Sequence, residues 1–110
     1  MTLNEYQQLA SRTINSKLCY IDQRYHALHG MSSELGEVNS IFQHQYQGDD
    51  LIEDEIKKEL GDLMWFVAEF AGSFGWTLDE VCSENIDKLR KRYPEGFDEN
   101  RSKHRHELDT

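Results

Sequence analysis

Apolar residues recur every three or four positions along most of this chain and never alternate for long, a pattern that predicts helices and no strands. Thr2 and Glu5 form a capping box around Leu3, Tyr6, Leu9, Ala10, Thr13, Ile14 and Leu18, which predicts a first helix over about residues 3–17. Cys19 to Asp22 reads as a connection. A long helical pattern follows until Gln47-Gly48-Asp49-Asp50, where Gly48 is a plausible stop. A third helix is expected to start near Ile52 to Asp54, whose acids complement the positive end of the helix dipole, and to end near Gly72 to Gly75. Thr77-Leu78-Asp79-Glu80 is a second capping box and predicts a fourth helix through about Arg92, before Pro94 and Gly96. The expected class is all-α. Residues 98–110 are charged and nearly devoid of apolar side chains, so a domain over residues 1–97 is expected, followed by a charged tail that is mobile or ordered only by a neighbouring subunit.

Two acid pairs stand out against this pattern, Glu34-Leu35-Gly36-Glu37 and Glu59-Leu60-Gly61-Asp62. Residues three apart on a helix sit on neighbouring turns, so each pair presents two carboxylates along one stripe. At about 100° per residue, Met31, Leu35, Val38 and Phe42 form an apolar stripe with Glu34 beside it, and Glu59 borders the stripe of Leu60, Leu63, Met64, Val67, Phe70 and Ala71. Acids bordering a core lose hydration, and if the two helices pack antiparallel the four carboxylates converge. Oxygen ligands of this kind suit Mg2+ or Mn2+, and the expected site is a divalent-metal centre on Glu34, Glu37, Glu59 and Asp62.

Composition narrows the partners. With 21 acids against 12 Lys and Arg, a net charge of −9 argues against nucleic-acid binding, although bound metal would locally reverse the field for a small phosphorylated substrate. At 110 residues and 37% hydrophobic content the chain fits one small domain whose core self-association would complete. Cys19 and Cys82 have no metal-like spacing and read as reduced thiols. No basic leader and no apolar run of about 20 residues is present, so a cytoplasmic protein without membrane association is expected. The histidines of the tail are not spaced as a zinc signature.

On the fourth helix Asn85, Lys88 and Arg92 recur at steps of three and four and form one polar stripe. A metal-binding acid cluster together with such a basic stripe is what a polyphosphate requires. The joint pattern is E-x-x-E, a spacer, E-x-x-D, then Asn85-x-x-Lys88-x-x-x-Arg92 and Arg92-Tyr93-Pro94-Glu95-Gly96-Phe97. It resembles the MazG-like nucleoside triphosphate pyrophosphohydrolases of the all-α NTP pyrophosphatase superfamily over about residues 3–97, and Glu5-Tyr6-Gln7 with Thr13 is similar to a small single-domain branch.

This resemblance implies a four-helix core completed as a homodimer or homotetramer. It also implies Mg2+-dependent hydrolysis of an NTP or dNTP to the monophosphate and pyrophosphate, with nucleotide-pool house-cleaning as the role. Carried over by position, Glu34, Glu37, Glu59 and Asp62 match the metal-binding catalytic acids, Lys88 and Arg92 match the phosphate-contacting cations, and Asn85 matches the polar position on that helix. One departure is Gln43-His44, where many relatives carry Lys-Lys. Tyr20, Tyr25, His26, Trp65 and Tyr93 are aromatic candidates for the base, and none is singled out. The alternative from another class is a non-catalytic helical adaptor whose fourth helix binds an acidic partner.

Overall fold

A computed structural model describes residues 1–108, and the last two residues of the expected tail lie outside it. The order is α1 (Leu3–Ser11), α2 (Tyr20–Tyr46), α3 (Glu53–Ser73), α4 (Leu78–Arg92), α5 (Glu99–Lys103) and α6 (Arg105–Leu108). Among the described residues there is no strand, as the apolar spacing predicts. The contacts divide the chain after Thr77 into two units.

The first unit is a long hairpin, α2 against α3, with α1 laid across it. Contacts run from Arg24 to Ser73, His26 to Glu69, Gly30 to Phe66 and Glu34 to Glu59 and Asp62. Numbers rise on one helix as they fall on the other, so the two are antiparallel. Gly48, at φ 111°, lies just past the C-terminus of α2 in a conformation that L side chains rarely adopt, which is why the chain can turn there. At the other end the Arg24 guanidinium lies 3.5 Å from the Phe74 ring centre and donates to the Ser73 carbonyl at 3.1 Å. Gln7 pins α1 to the same end by donating Nε2 to the Trp76 carbonyl at 3.0 Å.

Gly30 sets how closely the hairpin can pack. A Cβ there would fall inside the van der Waals envelope of three Phe66 ring carbons. The expected result for Gly30→Ala is a loss of about 1–3 kcal/mol from overpacking, partly offset by up to about 1 kcal/mol of helix propensity; a lowered thermal midpoint checks it.

The first helix is shorter than its periodicity suggests, because its polar residues find local partners. Ser11 Oγ donates to the Gln8 carbonyl and Thr13 Oγ1 to the Ala10 carbonyl, both at 2.7 Å, while Asn15 Oδ1 accepts from the Lys17 amide at 3.0 Å. Such side-chain bonds offer the backbone an alternative to continued helix. Thr2 caps the start as expected, accepting from the Glu5 amide at 3.1 Å.

The apolar stripe also sits differently. The inward face of α2 carries Ala27, Gly30, Met31, Glu34, Val38 and Ile41, whereas Leu35 is 54% exposed and Phe42 47%. On α3, Leu60 likewise faces outward.

The second unit is α4 with two short helices behind it. Asp98 accepts from the Arg101 amide at 2.9 Å and caps α5. The Arg101 side chain returns to the end of α4, donating Nη2 to the Lys91 carbonyl at 2.9 Å and Nε to the Arg92 carbonyl. Terminal helix carbonyls lack intrahelical donors, and a guanidinium supplies them. The segment expected as a tail therefore contains ordered helix within this chain up to Leu108.

Candidate active site

Antiparallel packing brings the two acid pairs face to face at mid-hairpin. One carboxylate oxygen from each of Glu34, Glu59 and Asp62 lies within 4.8 Å of the others. Glu37, one turn from Glu34, joins them through a hydrogen bond to Glu59. Glu34 and Glu59 are half-buried, and each keeps its Oε2 buried without a protein partner. Glu37 and Asp62 are exposed.

Crowding shifts the titration of two of these acids upward. The Glu37 carboxyl is raised first by its hydrogen bond to Glu59, then by the negative charge of Glu59 and by desolvation. That of Glu59 is raised first by its hydrogen bond to Glu34, then by desolvation and by the charges of Glu34 and Asp62. Protons are thus shared along the row, because ionising every member in a half-buried space is unfavourable. From α1, Tyr6 approaches the same cluster: its phenol is pushed up by burial and by the charge of Asp62.

This donor set contains only carboxylate oxygens, and the two orphaned buried atoms are what a cation would satisfy. Such a set suits a hard divalent ion better than Zn2+, which favours His and Cys. The acids fit a divalent cation on these grounds.

The remaining expected residues fall elsewhere. Asn85, Lys88 and Arg92 lie on α4, Asn85 and Lys88 exposed and Arg92 half-buried, with the Arg92 carbonyl held by Arg101. His44, at the position of the family departure, has Nδ1 3.4 Å from Asp49. It lines a cavity of about 440 Å3 with Ser40, Ile41, Asp49, Asp50, Ile52 and Glu55. Glu55 is one turn before Glu59 on α3.

Three of the aromatic candidates are engaged within the hairpin unit. Trp65 donates its indole N–H to Thr13 Oγ1 at 2.7 Å and packs edge-on against Phe66. His26 Nδ1 lies 2.7 Å from Glu69 Oε1, and Tyr20 lies under the Arg24 guanidinium, 4.8 Å from ring centre to Cζ. Sequence reasoning missed Glu69, a carboxylate buried to 1% exposure, because its neighbours Ala68, Phe70 and Ala71 carry the apolar periodicity at that turn. No helix of the described residues is long and apolar enough to cross a membrane.

Comparison with known proteins agrees with this arrangement. The gene 37 protein of Mycobacterium phage L5 is 33% identical over 72 residues, 61% of this chain and 63% of that protein. The chain thus spans under two thirds of that relative's length. No solved structure matches. The profile of the MazG nucleotide pyrophosphohydrolase domain matches residues 23–97, which take in both acid pairs and the whole of α4. The chain belongs to the MazG nucleotide pyrophosphohydrolase family.

Proposed function

We propose that this protein hydrolyses a nucleoside or deoxynucleoside triphosphate between the α and β phosphates, yielding the monophosphate and pyrophosphate. The observation that carries this reading is the convergence of Glu34, Glu59 and Asp62, with two buried oxygens left for a cation and Glu37 in hydrogen-bonding reach. These four acids hold Mg2+, with Mn2+ as the ready substitute. When bound, that ion supplies Lewis acidity toward phosphoryl oxygens and lowers the pKa of a coordinated water.

The chain's own residues do the rest. An acid of the row, or Glu55 one turn away, orients the attacking water and accepts its proton. Water adds at the α-phosphorus, the bond to the bridging oxygen breaks, and pyrophosphate leaves with that oxygen. Lys88 and Arg92 hold the charge of the departing group and Asn85 hydrogen-bonds beside them. Exposed Leu35, Phe42 and Leu60 support association as a homodimer or homotetramer, since a single copy leaves these side chains to water. The net charge of −9 supports a small nucleotide rather than a nucleic acid as substrate, and the role is nucleotide-pool house-cleaning in the cytoplasm.

A panel of NTPs and dNTPs with and without Mg2+ tests the reaction. Monophosphate with pyrophosphate, dependent on the ion, is the expected outcome; nucleoside diphosphate with orthophosphate would refute the cleavage position.

The acid row also predicts a linked dependence on pH and metal. Glu37 and Glu59 titrate in the folded chain above their ordinary value of 4.5. The stability they contribute is full below that value and is lost as pH rises through the raised pKa. The metal-free midpoint should therefore fall as pH climbs from the ordinary carboxylate range toward neutrality. Mg2+ binds the ionised acids, so its stabilisation should grow over the same interval, reaching about 2.7 kcal/mol at a hundred times the dissociation constant. Thermal melts across pH with EDTA or Mg2+ check both signs.

A further inference from the structure

A buried acid lies apart from the acid row, two turns further along α3. Glu69 places Oε1 2.7 Å from His26 Nδ1, while Oε2 is buried with no protein partner. Its buried neighbours on α3 are Ala68 and Ala71, so packing at this depth makes no demand for a carboxylate. An acceptor stripped of water and left unpaired costs stability that an apolar residue would spare.

Glu69 lines a cavity of about 250 Å3 with Ser11, Ile14, Ser16, Gln23 and Gly72, formed between the α1–α2 connection and α3. One water occupies about 30 Å3 in the liquid, so this space exceeds what a single solvent molecule fills. Hydrogen bonds already made determine what the walls offer. Ser11 donates its hydroxyl proton to the Gln8 carbonyl at 2.7 Å, which leaves lone pairs on Oγ. Gln23 commits its amide nitrogen to the Leu18 carbonyl at 3.1 Å, which leaves Oε1 as an acceptor. No Lys or Arg lines the cavity, so its walls are rich in acceptors and carry one carboxylate.

We propose that this cavity is a second binding site, for a small primary amine in its ammonium form, held by Glu69, Ser11 and Gln23. An alkylammonium carries three N–H donors and a compact charge on one nitrogen, matching three acceptors of which one is anionic. A guanidinium suits it less well, since its fork seeks both oxygens of a carboxylate and His26 already lies against one. Ile14 and the bare backbone of Gly72 leave room for a short alkyl group.

The test is a thermal melt with amide NMR in millimolar ethylammonium chloride at pH 7.5, against NaCl, KCl and tetramethylammonium chloride at equal ionic strength. The expected result is a saturable rise of a few degrees with ethylammonium alone, with shifts at the amides of Ser16, Glu69 and Gly72. Glu69→Gln should abolish it while circular dichroism stays unchanged. Gly72→Leu provides a second arm, filling the cavity while keeping the carboxylate, and it should also abolish the response. An equal response to potassium or tetramethylammonium overturns the proposal. So does a response that survives both substitutions, or no saturable response in the unaltered protein.

Discussion

Glu59→Gln should lower triphosphate turnover by on the order of a thousandfold and, in metal-free buffer at neutral pH, raise the thermal midpoint. Both effects follow from the position of Glu59 between Glu34 and Glu37. In the proposed site it is a ligand that an amide replaces poorly, since the amide brings no charge. In the absence of metal it is a half-buried carboxyl pushed up by its hydrogen bond to Glu34, by desolvation and by the charges of Glu34 and Asp62. Gln keeps the shape and removes a charge, so the repulsion relaxes. Opposite changes in activity and stability are the mark of a site held together against its own electrostatics. Kinetics and melts on one preparation check the pair; a variant that loses activity together with metal-free stability would make Glu59 an ordinary structural residue.

The second large effect concerns α4. Replacing Lys88 and Arg92 together by Ala should lower kcat/KM for the triphosphate by about a hundredfold or more, while the Mg2+-dependent shift in thermal midpoint stays as in the unaltered protein. Under the proposed roles these cations meet the phosphates and the acids meet the ion, so the two readouts separate. Arg92→Lys should recover part of the loss, because charge is retained while bidentate geometry is not. Loss of the Mg2+ shift along with activity would instead mean that α4 supports the acid row. The variants leave the Arg101 bonds to the Lys91 and Arg92 carbonyls available, because those bonds are to backbone.

Much of this arrangement could be read in the residues. Gly48 and the acids after it marked the hairpin turn, and the three-residue spacing of Glu34 with Glu37 and Glu59 with Asp62 was enough, given antiparallel helices, to bring carboxylates together. The capping role of Thr2 was equally plain. What escaped were features set by partners distant in sequence. The inward face of α2 includes Glu34 and Gly30, with Leu35 and Phe42 outside, because Phe66 of α3 needs the space a glycine leaves. Periodicity counts apolar residues and cannot see that a glycine and an acid occupy the inner face. Ile14 and Leu18 continued the helical rhythm of α1, yet Ser11, Thr13 and Asn15 draw the chain away through local hydrogen bonds. The charged C-terminal segment gave no apolar signal, and its helices are capped instead by Asp98 and tied to α4 by Arg101. Glu69 was hidden for the opposite reason, a single acid within an otherwise apolar turn.

The most direct measurement is Mn2+ titration followed by electron paramagnetic resonance, on the unaltered protein and on the double variant Glu34→Gln, Glu59→Gln. The account predicts saturable loss of the free Mn2+ signal with the unaltered protein, competition by Mg2+, and no such loss with the double variant, whose helix content by circular dichroism is unchanged. Equal binding by the two proteins, or none by either, would contradict a metal centre on these acids.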